Sequence, residues 1–167
     1  MAISTTNLKK KCLEIKVVIS DVDGVLTDGG MFYSEKGEVL KKFNTRDGMA
    51  VELLRNQKIP TVIMTREKSN IVLKRAKKLL IKDVFLGIKK KESLLPKICR
   101  KFQIEKKNIA YIGDDVNDLE IMSQVGLSVS PQNAIGLIKK SSDHVCKSNG
   151  GEGVLREVAD MIISFKQ

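Results

Sequence analysis

Asp21 and Asp23 stand one residue apart where the run Val17-Val18-Ile19-Ser20 ends, and Gly24 and Thr27 follow them. A β-branched run of this kind reads as a buried strand, which puts both carboxylates at its carboxyl tip. Strand side chains alternate between faces, and Gly24 supplies the turn that lets the two acids converge. Converging carboxylates repel unless a cation lies between them, and hard oxygen donors suit Mg²⁺. Asp21, Asp114 and the backbone carbonyl of Asp23 make up the protein share of such a site. No histidine or cysteine accompanies these acids, and His144, the sole histidine, lies elsewhere, so zinc is disfavoured. The chemistry served is phosphoryl transfer. Asp21 is the expected nucleophile, forming an aspartyl-phosphate. Asp23 is expected to protonate the leaving oxygen and then to activate water. Thr65 and Lys91 are expected on the non-bridging phosphoryl oxygens, where transition-state charge needs compensation.

These residues are far apart in the chain, so the fold must gather them. Lys16 to Ser20 reads as the first strand, and Met31–Tyr33 with Val39–Phe43 as a β-hairpin around a turn-rich Ser34–Glu38. Asp47–Gln57 is predicted helical, with Met49, Ala50, Leu53 and Leu54 on its apolar face. Pro60 resets the chain into strand Thr61–Met64. Ser69 caps a predicted helix to about Leu80, with Ile71, Val72, Ala76, Leu79 and Leu80 inward. Strand Val84–Leu86, helix Lys90–Phe102, strand Ile109–Ile112, helix Asp115–Gln124 and strand Leu127–Val129 follow. Helices Ala134–Lys140 and Val154–Phe165 flank a short strand at His144-Val145.

Strand–helix alternation predicts an α/β fold, a Rossmann-like, mostly parallel sheet with helices on both faces. Such sheets bind ligands outside the carboxyl ends of their strands. There the predicted strands deliver Asp21 and Asp23, then Thr65, then Lys91, then Gly113-Asp114-Asp115 with Asp118 one turn on. The chain shows no repeat, low-complexity tract or linker, and 1–167 is expected to form a single domain.

The composition excludes several classes. Hydrophobic residues make up 42% and charged ones 30%, which describes a globular chain and not a disordered one. No apolar run approaches the ~20 residues of a membrane span, and no apolar segment follows the basic N-terminal stretch as a secretory signal requires. Cys12, Cys99 and Cys146 are odd in number and unpaired in spacing, reading as free thiols of a reducing cytoplasm. The net charge of +10 raises the question of nucleic acid. The lysines are scattered along helical stretches without Trp and with only two Tyr to stack on bases, so no nucleic-acid partner is expected. Positive potential instead steers anionic substrates such as phosphates.

The order Asp-x-Asp-Gly-x-x-Thr, Thr65, Lys91, Gly113-Asp114-Asp115-x-x-Asp118 resembles the haloacid dehalogenase superfamily of phosphatases over nearly the whole chain from Val17. The segments DVDGVLTDGG, FNTRDGMAV, RAKKL, IGDDVNDLEIM, VGLSV and GGEGVLREV look like its small phosphatases of 2-keto-3-deoxy sugar acids. These act on 3-deoxy-D-manno-octulosonate 8-phosphate or on the nine-carbon 2-keto-3-deoxynononate 9-phosphate. The resemblance implies no cap domain, in keeping with only a hairpin and one helix between Asp21 and Thr65. It also implies a homotetramer joined through the hairpins, in which a neighbouring subunit closes each active site. Products of this class feed lipopolysaccharide and sialic-acid-like glycans.

One departure bears on substrate. Members acting on the eight-carbon acid typically read Thr-Gly-Arg, whereas this chain reads Thr65-Arg66-Glu67. Glu67, with Lys78 eleven residues on, looks like the nine-carbon branch, the preferred expectation; the eight-carbon 8-phosphate is the alternative. Glu67 equally suits the first turn of a helix. Arg46 is expected to hold substrate, as the resemblance suggests, while Asp47 serves mainly as a helix cap. Asp118 is expected to orient Lys91 or a metal-bound water, with Asp115 beside it in a supporting place. Gly150-Gly151-Glu152-Gly153 reads as a loop before a helix. Two readings of another class are a phosphoacceptor signalling domain, disfavoured by motif order, and a non-catalytic assembly module, disfavoured by the intact acids and lysine.

Overall fold

The computed structural model describes residues 4–167. In chain order the elements are α1 Thr5–Glu14, β1 Val17–Ser20, β2 Phe32–Ser34, β3 Gly37–Leu40, α2 Thr45–Asn56, β4 Thr61–Met64, α3 Asn70–Lys78 and β5 Asp83–Phe85. There follow a 3₁₀ turn Lys91–Leu94, α4 Leu95–Phe102, β6 Ile109–Ile112, α5 Leu119–Met122, β7 Leu127–Ser130, α6 Gly136–Ser141, β8 His144–Val145 and α7 Val154–Lys166. Six strands form one sheet in the order β5-β4-β1-β6-β7-β8, and every pairing in it is parallel. The hairpin β2–β3 stands apart as a two-stranded antiparallel sheet.

The centre of the sheet is buried on both faces: β4, β1, β6 and β7 are buried at every position and carry mainly apolar side chains, as parallel strands between helices must. Val18, Ile63, Ala110 and Ile112 face a core shared with Cys12 of α1, Ala50 and Leu54 of α2, Val72 of α3 and Val158 of α7. Val17, Ile19, Val62, Met64, Ile109 and Tyr111 face the opposite core with Ile98 of α4 and Ile121 of α5. Burial of this kind contributes about 25 cal/mol per Å² of apolar surface and dominates the stability of the layers.

The chain passes from β1 out to β4 and β5 on one side, then returns to place β6 on the other. β1 is therefore flanked by strands that leave in opposite directions, and a crevice opens at its carboxyl end. The β1–β6 ladder extends past β1, where Asp21 N donates to Ile112 O at 3.0 Å, and the β4–β5 ladder past β4, where Thr65 N donates to Phe85 O at 2.9 Å.

Several expectations are corrected. Thr5–Glu14, a basic stretch to which the sequence assigns no element, is a helix with Ser4 as N-cap and its Cys12 side packed against the core. Its apolar content is too sparse to reveal the pattern. In α2, Met49 is 46% exposed and Val51 takes the inward place with Ala50 and Leu54. Helix α3 stops at Lys78; Leu80 has φ 60° and is exposed, so it ends the helix and leaves the core to Ile81. Ser69 is the N-cap of α3 by position, but its hydroxyl donates to Glu38 Oε2 at 2.8 Å and does not cap. The helices expected from Lys90 and Asp115 both open as 3₁₀ turns, which bring Lys91 and Asp118 inward.

Candidate active site

Asp21 lies directly beyond β1 and is 5% exposed. Its Oδ1 accepts the Val22 amide at 2.7 Å, and its Oδ2 meets Lys91 Nζ at 2.7 Å. The same ammonium donates to Asp118 Oδ1 at 2.6 Å, and the Tyr111 hydroxyl donates to that oxygen at 2.6 Å. Asp118 Oδ2 accepts the Asp114 amide at 3.1 Å. Lys91, Asp118 and Tyr111 are each fully buried. A buried ammonium is tolerated only when paired, and two carboxylates hold this one charged, raising its pKa against the burial that would lower it.

The acids outnumber the lysine. Burial and Asp118 push the Asp21 carboxyl well above the usual range, opposed by Lys91 and the Val22 amide. Asp114 is raised to about 7 by burial, then by Asp118 and Asp115. Carboxylate oxygens of Asp21, Asp114 and Asp118 lie within 4.8 Å of one another. Asp118 is fully buried and does not line the cleft, whereas Asp21, with a single contact on each oxygen, and Asp114 both line it and can face a cation. An all-oxygen set with unmet negative charge fits a magnesium ion.

Two glycines make this convergence possible. Gly24 has φ 82°, and a Cβ there would lie 2.0 Å from Asp114 Oδ2, so only glycine lets the two strand ends approach. A Cβ on Gly150 would lie 2.1 Å from Gly24 O. The Gly150–Gly153 segment is thus a buttress against the Asp21–Thr27 loop, tied on by the Gly151 amide to Val25 O at 2.9 Å. Spacing alone shows a loop there but not what it packs against.

Asp23 is held separately. Its Oδ1 meets Lys41 Nζ at 2.5 Å and the Thr27 hydroxyl at 3.4 Å, while its buried Oδ2 has no partner among the described residues. Lys41 also meets Glu38 at 2.5 Å, and its side chain is fully buried. Glu38 in turn takes the Ser69 hydroxyl, so a chain of polar contacts links the hairpin, Asp23 and the start of α3. The sequence reading missed Lys41 and Glu38, since nothing in one sequence separates Lys41 from exposed Lys42. Tyr111 carried a signal: a phenol inside a buried strand needs a partner for its hydroxyl.

A cleft of about 260 Å³ opens over this arrangement, lined by Asp21, Asp23, Thr65, Glu67, Asp114 and Asp115 among others. Thr65 is buried, and its Oγ1 accepts the Glu67 amide at 3.1 Å, which leaves the hydroxyl proton free to donate. Arg46 does not line the cleft; its side chain lies over Gly153. Lys78, at the far end of α3, does not line it either. Asp47 is buried and its Oδ1 accepts the Arg156 amide at the start of α7. A second cluster, His144, Cys146 and Glu157, lies at β8. There both Glu157 oxygens bind backbone amides of Lys147 and Ser148, a structural task.

Comparison with known proteins gives one consistent result. A family model described as haloacid dehalogenase-like hydrolase matches residues 58–158, a span that begins after Asp21 and Asp23. The 3-deoxy-D-manno-octulosonate 8-phosphate phosphatase of Haemophilus influenzae is 37% identical over 156 residues, covering 93% of this chain and 87% of its own. The Salmonella typhi enzyme of the same name is 36% identical, covering 95% and 85%. The Moraxella catarrhalis enzyme, solved with magnesium, phosphate and KDO, superposes with a TM-score of 0.93 at 33% identity over 98% of this chain and 93% of that one. The cobalt-bound Haemophilus influenzae structure gives 0.91 at 37% identity over 93% and 91%.

Proposed function

The chain belongs to the haloacid dehalogenase-like hydrolases and is a phosphoric monoester hydrolase, and from that premise we propose that it removes phosphate from a 2-keto-3-deoxy sugar acid with Mg²⁺. The observation that carries this reading is Lys91 clamped between Asp21 and Asp118 beside an Asp114 that enters no ion pair among the described residues. Asp21, Asp114 and the Asp23 carbonyl would hold the ion, which would supply charge compensation at the phosphoryl oxygens.

The chain's own residues carry the steps. Lys91 fixes Asp21 Oδ2 and favours its ionised form against the burial and the Asp118 charge that oppose it, and the ionised oxygen attacks phosphorus to give an aspartyl-phosphate. Thr65 donates its hydroxyl proton to a phosphoryl oxygen, and Lys91 balances the charge that spreads over that group. Lys41 and Thr27 occupy Asp23 Oδ1, so the unpartnered Oδ2 is the oxygen that moves the proton. It delivers the proton to the leaving oxygen as the substrate's P–O ester bond breaks, then takes one from the water that attacks phosphorus, and the P–O bond to Asp21 breaks as phosphate departs.

Glu67 lines the cleft and supports a nine-carbon 9-phosphate as substrate. The names of the relatives favour a second reading, the eight-carbon 8-phosphate. Arg46 and Lys78 lie outside the cleft of one chain and would reach substrate only in an assembly. A homotetramer joined through the hairpin is supported by its exposed apolar side chains, among them Phe32 at 53%, Tyr33 at 64% and Leu40 at 61%. The whole chain would act as a single domain in the cytoplasm, in keeping with its three free thiols; among the described residues no helix is long and apolar enough to cross a membrane. Phosphate release from eight- and nine-carbon keto-acid phosphates and simple sugar phosphates, with and without Mg²⁺, tests this. Mg²⁺-dependent preference for the acids is expected; equal rates on simple sugar phosphates would refute the sugar-acid reading.

A further inference from the structure

Five carboxylates line the cleft, those of Asp21, Asp23, Glu67, Asp114 and Asp115. A sugar-acid phosphate brings two anionic groups to it, the phosphate and the carboxylate. Lys91 serves the phosphate end, pinned between Asp21 and Asp118. Lys41 is spent on Asp23 and Glu38. Lys68 does not line the cleft; its aliphatic stem lies along Gly87. One cationic side chain lines the cleft itself, that of Arg66, and it enters none of the ion pairs among the described residues. Arg66 is exposed and follows directly on Thr65, which lines the same cleft.

We propose that Arg66 is the residue that binds the substrate's carboxylate. Without it, a second anion entering the cleft of one chain would meet Glu67 and Asp115 with no cationic side chain of that cleft to balance them, and like charges brought together are disfavoured. A guanidinium presents a planar pair of donors matched to a carboxylate, which a lysine at the same place would not reproduce. The neighbouring Glu67 is an acceptor for sugar hydroxyls, so consecutive residues read the acid and the polyol parts of one molecule. The pair sits on the loop after β4, which Thr65 anchors through its backbone to β5.

This inference rests on the sugar-acid reading, and one experiment separates the two. Steady-state kinetics of wild type, Arg66→Gln and Arg66→Lys are measured on a 2-keto-3-deoxy acid phosphate and on a neutral sugar phosphate of the same length. Wild type should prefer the acid. In Arg66→Gln the ratio of kcat/KM between acid and neutral substrate should fall at least tenfold, mostly through a raised KM for the acid. Arg66→Lys should recover only part of it. A wild type without preference for the acid overturns both the reading and the inference. A wild type that prefers the acid, with an unchanged ratio in Arg66→Gln, overturns the inference alone. Equal losses on both substrates would assign Arg66 to the phosphate and overturn it as well.

Discussion

At the scale of single residues, the site is organised by two lysines with separate tasks. Lys91 holds Asp21, the proposed nucleophile, and Lys41 holds Oδ1 of Asp23, the proposed acid–base group, whose Oδ2 has no partner among the described residues. Removing Lys41 should therefore damage turnover more than binding. We expect Lys41→Gln to lower kcat about tenfold to a hundredfold with little change in KM, within the range that general acid–base groups contribute. Unaltered kcat in steady-state assays would show that Thr27 alone positions Asp23. Lys41 was invisible beforehand because its role depends on a hairpin folding back on a loop eighteen residues earlier. Asp21, Asp114 and Thr65 were legible because strand ends dictate where their side chains arrive, and Lys91 joins them from the 3₁₀ turn after β5. Glu67 was legible as a cleft residue; Arg46 and Lys78 were not brought there by the fold of one chain.

At the scale of elements, the Asp21–Thr27 loop is shaped by what presses on it. The segment before α7 leaves no room for a Cβ at Gly150, where it would meet Gly24 O and Thr27 O, the latter at 3.0 Å. Gly150→Ala should cost about 1–3 kcal/mol of stability and also lower kcat, because relief of the clash moves the loop carrying both aspartates. Gly136→Ala is the control: nothing lies within 4 Å of a Cβ there, and helix α6 should tolerate it. Chemical denaturation and activity assays on both variants check this; equal stability of the two would contradict the buttress. The central strands were readable from apolar runs such as Val17–Ile19 and Ile109–Ile112. Helix α1 was not, because it shows the core little beyond Cys12 and the adjoining Ile15. The exposure of Met49 and Leu80 was not readable either, since a helix's rotation and its end depend on its neighbours.

At the scale of the whole molecule, the hairpin is the part least explained by one chain. It packs outside the main sheet and exposes Met31, Phe32, Tyr33, Val39 and Leu40, the kind of apolar patch that marks a protein contact. It also carries Glu38 and Lys41, so assembly and the position of Asp23 would be coupled. Sedimentation velocity should find wild type as a tetramer and Phe32→Glu with Leu40→Lys as smaller species with reduced kcat. A monomeric, fully active wild type would remove the assembly reading.

The central claim is that Asp21 attacks phosphorus. The most direct test uses Asp23→Asn, incubated with Mg²⁺ and p-nitrophenyl phosphate, whose leaving group needs no proton, followed by peptide mass spectrometry. With water activation lost, the mass of one phosphoryl group should accumulate on the peptide containing Asp21 and be absent from Asp21→Asn. Steady phosphate release by Asp21→Asn, or a phosphoryl group on another residue, would contradict the account.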